Sequence, residues 1–413
     1  MESSFRLAPA PLAESAPHHR HQASLEQALD LPAAAPLTTD KLDQADAILK
    51  KLIDHCEPLQ SKTPYEKVAL VRLTYEHCRS KHTFLRQVFT YLGTAQDQNS
   101  QGSPPSFEHG LMKFSTFNSE AAPARKREVE RVIDSFAEYL FDNFSLPMKA
   151  VGTKTPQPTP DTLSAHRVEN VVGTPARLST LRRDCLIRDH NRCVITRKFD
   201  AIEAVVRVNR VHLDAEDDDG QRLPAMDGEF EPLEVAHIIP HSIMSATIVD
   251  GQMQLSESKK TALSILNMFD PGSLHLIEGP NIDSPRNALT LTHAAHTYFG
   301  KFAIYFDAVN DDSTDLKHTY KIQSNDFGIE FILKLPVTRT LLLSPNHTID
   351  PPSSKLLALH RAIATILHLS AAGEYIDRII RDSEQLWVRN DGSSELGRLV
   401  SLGLGGWFDG VAA

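Results

Sequence analysis

Two segments of this chain, Leu233 to Pro240 and Ser284 to Phe299, restrict what it can fold into more than any others. The first, L-E-V-A-H-I-I-P, is short, apolar, partly β-branched and stopped by Pro240, which predicts a strand whose end presents His237. The second, S-P-R-N-A-L-T-L-T-H-A-A-H-T-Y-F, puts Asn287 in a loop just after Ser284-Pro285 and predicts a turn running into a helix over Ala288 to Phe299. His293 and His296 are three apart and share one face of that helix.

A histidine on a strand end, an asparagine in a loop and a histidine on a helix suit one kind of chemistry. A phosphodiester is attacked slowly by neutral water, so a base must take the water's proton and a cation must neutralise charge on the leaving oxygen. A neutral His serves the first role, and His, Asp or Asn the second. Taken singly, a His in an apolar strand is more often a satisfied core residue, and His293 reads as a helix-surface residue.

The sequence resembles the HNH endonucleases, and more closely the fungal-type HNH domain proteins. The matching pieces are R-D-H-N-R-C-V-I-T (Arg188 to Thr196), V-A-H-I-I-P (Val235 to Pro240), D-S-P-R-N-A-L-T-L (Asp283 to Leu291) and H-T-Y-F-G-K-F-A-I-Y-F (His296 to Phe306). The nine-residue step from Asn287 to His296 also fits the family's spacing. Leu356 to Asp377 looks like the C-terminal helical region of the same group, so the resemblance spans roughly Arg182 to Asp382. It implies a ββα-metal core in which His237 is the general base, Asn287 holds the base loop in register and His296 binds a divalent ion, Mg²⁺-like or Zn²⁺-like. Two positions depart from the pattern. Ala236 stands where many members carry a ligand before the catalytic His, and Gly300 where many carry one a turn after the final His. Glu234, Asp283 and His293 are the candidate substitutes.

A length of 413 residues with 41% hydrophobic content allows two or three domains with a real core. The fold class expected is α+β. Residues 1–37, rich in Ala, Pro, Ser and His, read as a disordered arm, and residues 38–150 as a helical module. In that module Leu42, Ala45, Leu49, Leu52 and Ile53 fall on one face, a helix is expected from Thr63 to about Leu92, and Val129, Val132, Ile133, Phe136 and Leu140 form a third stripe. Residues 151–175 read as a linker, 176–310 as the HNH core with inserts, 311–390 as a strand-and-helix extension and 391–413 as a flexible tail. Strands are expected at Cys193 to Thr196, Val205 to His212, Phe302 to Phe306 and Gly328 to Leu335, and helices at Leu181 to Arg188, Glu257 to Phe269 and Ser354 to Ala372. The Glu257 to Phe269 helix belongs to an insert that could gate the site.

Four scattered cysteines make no disulfide framework, and the His55-Cys56 and His77-Cys78 pairs make no zinc set, since adjacent helical residues point apart. With neither a run of 18 apolar residues nor a charged-then-apolar start, no membrane span or signal peptide is expected. The protein is expected to be intracellular, nucleus and cytoplasm being left open. A net charge of −10 excludes a chain that coats nucleic acid over its whole surface. Locally, however, Arg177, Arg182, Arg183, Arg188, Arg192, Arg197 and Lys198 cluster just before the core and are the candidate phosphate-facing residues. The acidic loop Asp214 to Asp219 reads as a solvated excursion. The function expected is metal-dependent hydrolysis of DNA phosphodiester bonds. The alternative is a degenerate HNH-fold module that binds nucleic acid or a protein partner, with the helical flanks open to partners or self-association.

Overall fold

The computed structural model describes residues 36–94, 106–118, 120–153, 175–226, 228–249, 252–309, 317–344, 347–384 and 395–408. Nearly all of the expected arm and most of the expected linker lie outside these residues.

The N-terminal helices form because their apolar residues recur at helical spacing. Helix α1 (Thr39–Cys56) buries Ala45, Ile48, Leu49, Leu52 and Ile53, and α5 (Pro123–Leu140) buries Val129, Val132, Ile133, Phe136 and Leu140, with Pro123 in its first turn. The single helix expected from Thr63 is two, α2 (Lys67–His77) and α3 (Lys81–Thr94). The break has a tertiary cause: the Arg79 N–H leaves the helical ladder and donates to the Phe269 carbonyl at 2.8 Å. Helix α4 (Phe107–Phe114), capped by Ser106, and α6 (Leu146–Val151) complete this group.

The chain then gives α7 (Pro175–Arg188), β1 (Phe199–Asp200), α8 (Ala201–Val211), β2 (Phe230–Glu231), β3 (Leu233–His237), β4 (Thr247–Val249), β5 (Gln252–Gln254), α9 (Glu257–Phe269), β6 (Ala288–Thr292) and α10 (His293–Gly300). It continues through β7 (Ile304–Ala308), β8 (Thr319–Ser324), α11 (Phe327–Leu333), β9 (Val337–Thr340), α12 (Ser354–Leu369), α13 (Ala372–Glu384) and α14 (Leu396–Leu404). The mixture of many helices with small sheets is α+β. Strands β3 and β6 pair antiparallel, with His237 opposite Ala288, while β7, β8 and β9 form an antiparallel three-stranded sheet.

Three expected strands are absent. Val205 to His212 lies in α8, because Asp200 caps it through the Ile202 N–H at 3.0 Å and helical spacing sets Ala204 and Val208 on a small core with Phe199, Leu223 and Met226. Gly328 to Leu335 is mostly α11, capped by Asp326, which accepts from the N–H groups of Gly328 and Ile329. Cys193 to Thr196 forms turns beside β6, tied by the Val194 N–H to the Thr290 carbonyl at 2.9 Å. Conversely, the turn expected at Ala288 is the fully buried strand β6.

One hydrophobic cluster runs from Ala45 in α1 through β3, α9, β6 and α10 to Leu402 and Trp407, so the expected divisions do not separate independent cores. Helix α9, part of the insert expected beside the site, sits within that core, burying Ala262, Leu263, Ile265, Leu266, Met268 and Phe269. The expected flexible tail is docked where it is described. Trp407 is fully buried and donates from Nε1 to Ser258 Oγ at 2.9 Å, while Ser256 Oγ donates to the Gly405 carbonyl at 2.7 Å.

Candidate active site

Alternation along β3 gives its residues two opposed faces. Val235 packs with Leu181, Cys185 and Ala288 beneath α7, which fixes the face on which His237 also lies. Glu234 and Ala236 occupy the other face, against which α10 lies.

On the first face His237 meets Asp283, with Nε2 3.1 Å from Oδ1. Both side chains are buried, at 1% and 0% exposure, and Arg177 Nε approaches the second carboxylate oxygen at 4.0 Å. The strand end and the turn before β6 are locked together by Asn287, which is fully buried. Its amide nitrogen donates to the carbonyls of Ile239 at 3.0 Å and Ile282 at 2.9 Å, and its oxygen accepts from the Ile239 N–H at 2.9 Å. The Ile238 N–H adds a bond to the Asn287 carbonyl at 2.8 Å. Asn287 thus uses its amide oxygen and nitrogen to tie its own turn to Ile239, 48 positions away in sequence.

On the second face Glu234 receives both helix histidines. His296 Nδ1 lies 2.6 Å from Oε2 and His293 Nδ1 2.8 Å from Oε1. The hydrogen bond to His296 is the main reason that the Glu234 carboxyl is pulled down to about 2, with His293 adding to it against partial burial. His296 is buried and its Nε2 has no hydrogen-bond partner, while His293 is largely exposed. Of the three candidate substitutes, Glu234 and His293 therefore lie with His296, whereas Asp283 lies with His237. Among the described residues no three His, Cys, Asp or Glu side chains form a group able to hold a metal ion by themselves.

The departure at Gly300 has a packing cause. A Cβ there would come within 2.3 Å of the Gly152 carbonyl oxygen and 2.8 Å of the Thr153 nitrogen, so no side chain fits. The backbone after α6 occupies the place where the resemblance implies a ligand.

Much of the basic stretch before the core is engaged inside the fold. Arg188 is fully buried: it forms a two-pronged pair with Asp189 at 2.8 Å and donates to the carbonyls of Pro285 at 2.7 Å and Ala288 at 3.0 Å. Arg192 is buried against Asp217. Arg182 donates to the Leu233 carbonyl at 2.7 Å, Arg197 to the Thr340 carbonyl at 2.6 Å, and Lys198 pairs with Glu231. Of the seven, Arg183 is the most exposed, and it pairs with Asp184. The acidic loop explains part of this. It folds back so that Asp217 meets Arg192, Asp218 meets Arg207 and Asn191, and Asp219 meets His190. Through Asp217 it neutralises Arg192, while most of the loop stays exposed.

Nothing in the spacing of the chain shows that Asp283 seats His237. Nor does it single out His241, four residues beyond His237 in H-I-I-P-H, whose imidazole is buried beside that of His237.

Two antiparallel strands followed by a helix thus bring together a histidine at the strand end, an asparagine that pins the turn and a histidine on the helix. Residues 193–307 match the family model described as HNH endonuclease, and the chain carries an HNH domain over that span. No curated protein and no solved structure matched the chain.

Proposed function

We propose that this protein hydrolyses nucleic-acid phosphodiester bonds, DNA foremost, with His237 as the general base. The observation that carries this reading is the buried contact between His237 Nε2 and Asp283 at the end of a strand inside the HNH-matching segment. Asp283 orients the imidazole and stabilises the imidazolium that forms when the other ring nitrogen takes a proton from the attacking water. Asn287 keeps the strand end and the turn in register, so the base stays aimed.

The donors present accommodate a divalent ion at one corner. A metal-bound histidine has its other ring nitrogen on a carboxylate, which is how Glu234 stands behind His296, leaving the buried Nε2 of His296 as the ligand atom. With Ala236 and Gly300 unable to ligate, the set is too small for Zn²⁺, which takes three protein ligands in catalytic sites. It leaves room only for an ion that takes His296 Nε2 and completes its shell with water and substrate phosphate oxygens, since Mg²⁺ itself prefers oxygen donors. Such an ion, when bound, neutralises charge on the leaving oxygen.

A second reading, a degenerate HNH-fold module that binds nucleic acid or a protein partner, is favoured by the closed Gly300 position and by the burial of His237. Nicking of supercoiled plasmid with Mg²⁺, Mn²⁺, Zn²⁺ or a chelator separates the two. The hydrolytic reading expects nicking with Mg²⁺ or Mn²⁺, none with chelator, and a loss of about 10²-fold or more in His237→Ala. Absence of cutting of plasmid, single-stranded DNA and RNA with every metal, together with salt-dependent retention of DNA, would select the binding module.

A further inference from the structure

We propose that α8 is a self-association surface, through which two copies of this chain pair antiparallel about a two-fold axis. The pairing holds whether or not the chain cuts nucleic acid.

Helix α8 carries its larger apolar residues on the outside. Ala204 is buried and packs with Val208 on the small core of Phe199, Leu223 and Met226. Ile202, by contrast, is 60% exposed, Val205 59% and Val206 48%, and Leu213 just past the helix end is 74% exposed. Ile202, Val205 and Val206 stand at i, i+3 and i+4, so they form one stripe on the face opposite Ala204, and the exposed Asn209 continues it at i+7. A contiguous apolar face of this kind marks an interaction site, unlike apolar residues exposed singly. The small core beneath cannot take the stripe in, because it is filled from the other side of the helix.

The charges beside the stripe select the occupant. Glu203 and Arg210 are seven residues, or two turns, apart and lie on the same flank of it. A two-fold axis beside Val205 and Val206 sets Val205 of one copy against Val206 of the other and Ile202 beside Asn209. It also brings Glu203 of each copy to Arg210 of the other, which makes two opposite-charge pairs per dimer. A parallel pair would turn both charges towards the opposite flank, where Ala201, Val205 and Val208 offer no partner charge. The bond that Glu203 accepts from Arg207 at 2.8 Å uses Oε1, so Oε2 remains to meet a second guanidinium. A nucleic-acid strand fits this face poorly, since Asp218 lies against Arg207 on α8 and Asp214 follows the helix, both repelling phosphate. With eleven residues in the helix, the face falls short of the roughly 800 Å² per partner of a standard interface, so the dimer is of the weak, concentration-dependent class.

The test is sedimentation velocity of the full chain from about 5 to about 500 µM, a range that spans weak association. The native chain should pass reversibly from monomer to dimer. Val206→Glu, at an exposed position, should weaken the dimer about tenfold or more with the thermal midpoint unchanged. Arg210→Glu and Glu203→Arg should each weaken it about fivefold, because each sets like charges together twice in a dimer of identical copies. Mixed in equal amounts, these two variants should recover the dimer, since the unlike copies again present opposite charges to each other. A native chain that stays monomeric at the highest concentration would overturn the proposal and give the stripe to a different partner. Dimerisation unmoved by Val206→Glu, or a mixture that associates no better than its separate variants, would overturn it as well. The native-chain measurement decides even if a variant does not fold.

Discussion

Asn287 and His360 show how one side chain can fix the setting of a site without touching substrate. Asn287 satisfies two carbonyls and an N–H that would otherwise be stranded at the strand end. Its place was legible from the sequence, since an amide after Ser-Pro and before an apolar stretch suits a turn that must be tied down. His360 acts from behind α10. It stacks on Phe299 with centroids 3.9 Å apart and on Phe302 at 4.5 Å, and its Nε2 lies 3.1 Å from the Phe299 carbonyl. Full burial pushes it down to about 3 from an ordinary 6.5. The folded chain therefore resists a proton that the unfolded chain accepts, so this contribution is whole above about pH 6.5 and is lost as pH falls towards about 3. The slope is about 1.4 kcal/mol per pH unit within that window. Urea denaturation from pH 7 to pH 4 should show a steeper loss of stability in the native chain than in His360→Leu; parallel slopes would rule the imidazole out as a source.

The errors made from sequence fall on elements, and they share a cause. Val205 to His212 and Gly328 to Leu335 are rich in β-branched and aromatic residues, which suggests strand, yet both lie in helices begun by an aspartate cap at Asp200 or Asp326. The caps were visible; their weight against local propensity was not. Strand β6 was missed because five residues between a loop and a helix carry no period, and only pairing with β3 makes them a strand. The basic stretch shows a further limit of sequence position. Position along the chain shows that arginines lie near a site, but not that Arg188 and Arg182 turn inward to brace it through the carbonyls of Pro285, Ala288 and Leu233. Replacing Arg188 with Ala should therefore cost about 3–5 kcal/mol, since it leaves Asp189 charged and buried. Arg183→Ala at the surface should cost under about 0.5 kcal/mol. Thermal midpoints of the two variants check the contrast, and similar small losses would mean that Arg188 is dispensable to the fold.

At the scale of the whole molecule, the division into module, core, extension and tail that composition suggested gives way to one continuous cluster. Composition reports solvent preference along the chain, whereas the burial of α9 and Trp407 depends on partners far away in sequence, so neither could be foreseen. Trp407 shows what this means for stability. Packed over Lys259 and bonded to Ser258, it closes the core from the C-terminal side. Trp407→Ala should cost about 3–5 kcal/mol and lower a single unfolding transition. Two separate transitions in calorimetry would show instead that the parts fold on their own.

The contact between Gly152 and Gly300 joins the helical module to α10 at the place where the resemblance implies a ligand. Here the backbone of one region stands where another could have grown a side chain. A histidine at position 300 is out of reach of any single substitution, because the segment after α6 would have to move first. The chemistry open to the site is thus bounded by a neighbour that takes no part in it, and any gain of a ligand must come from β3 or from the turn that holds Asp283.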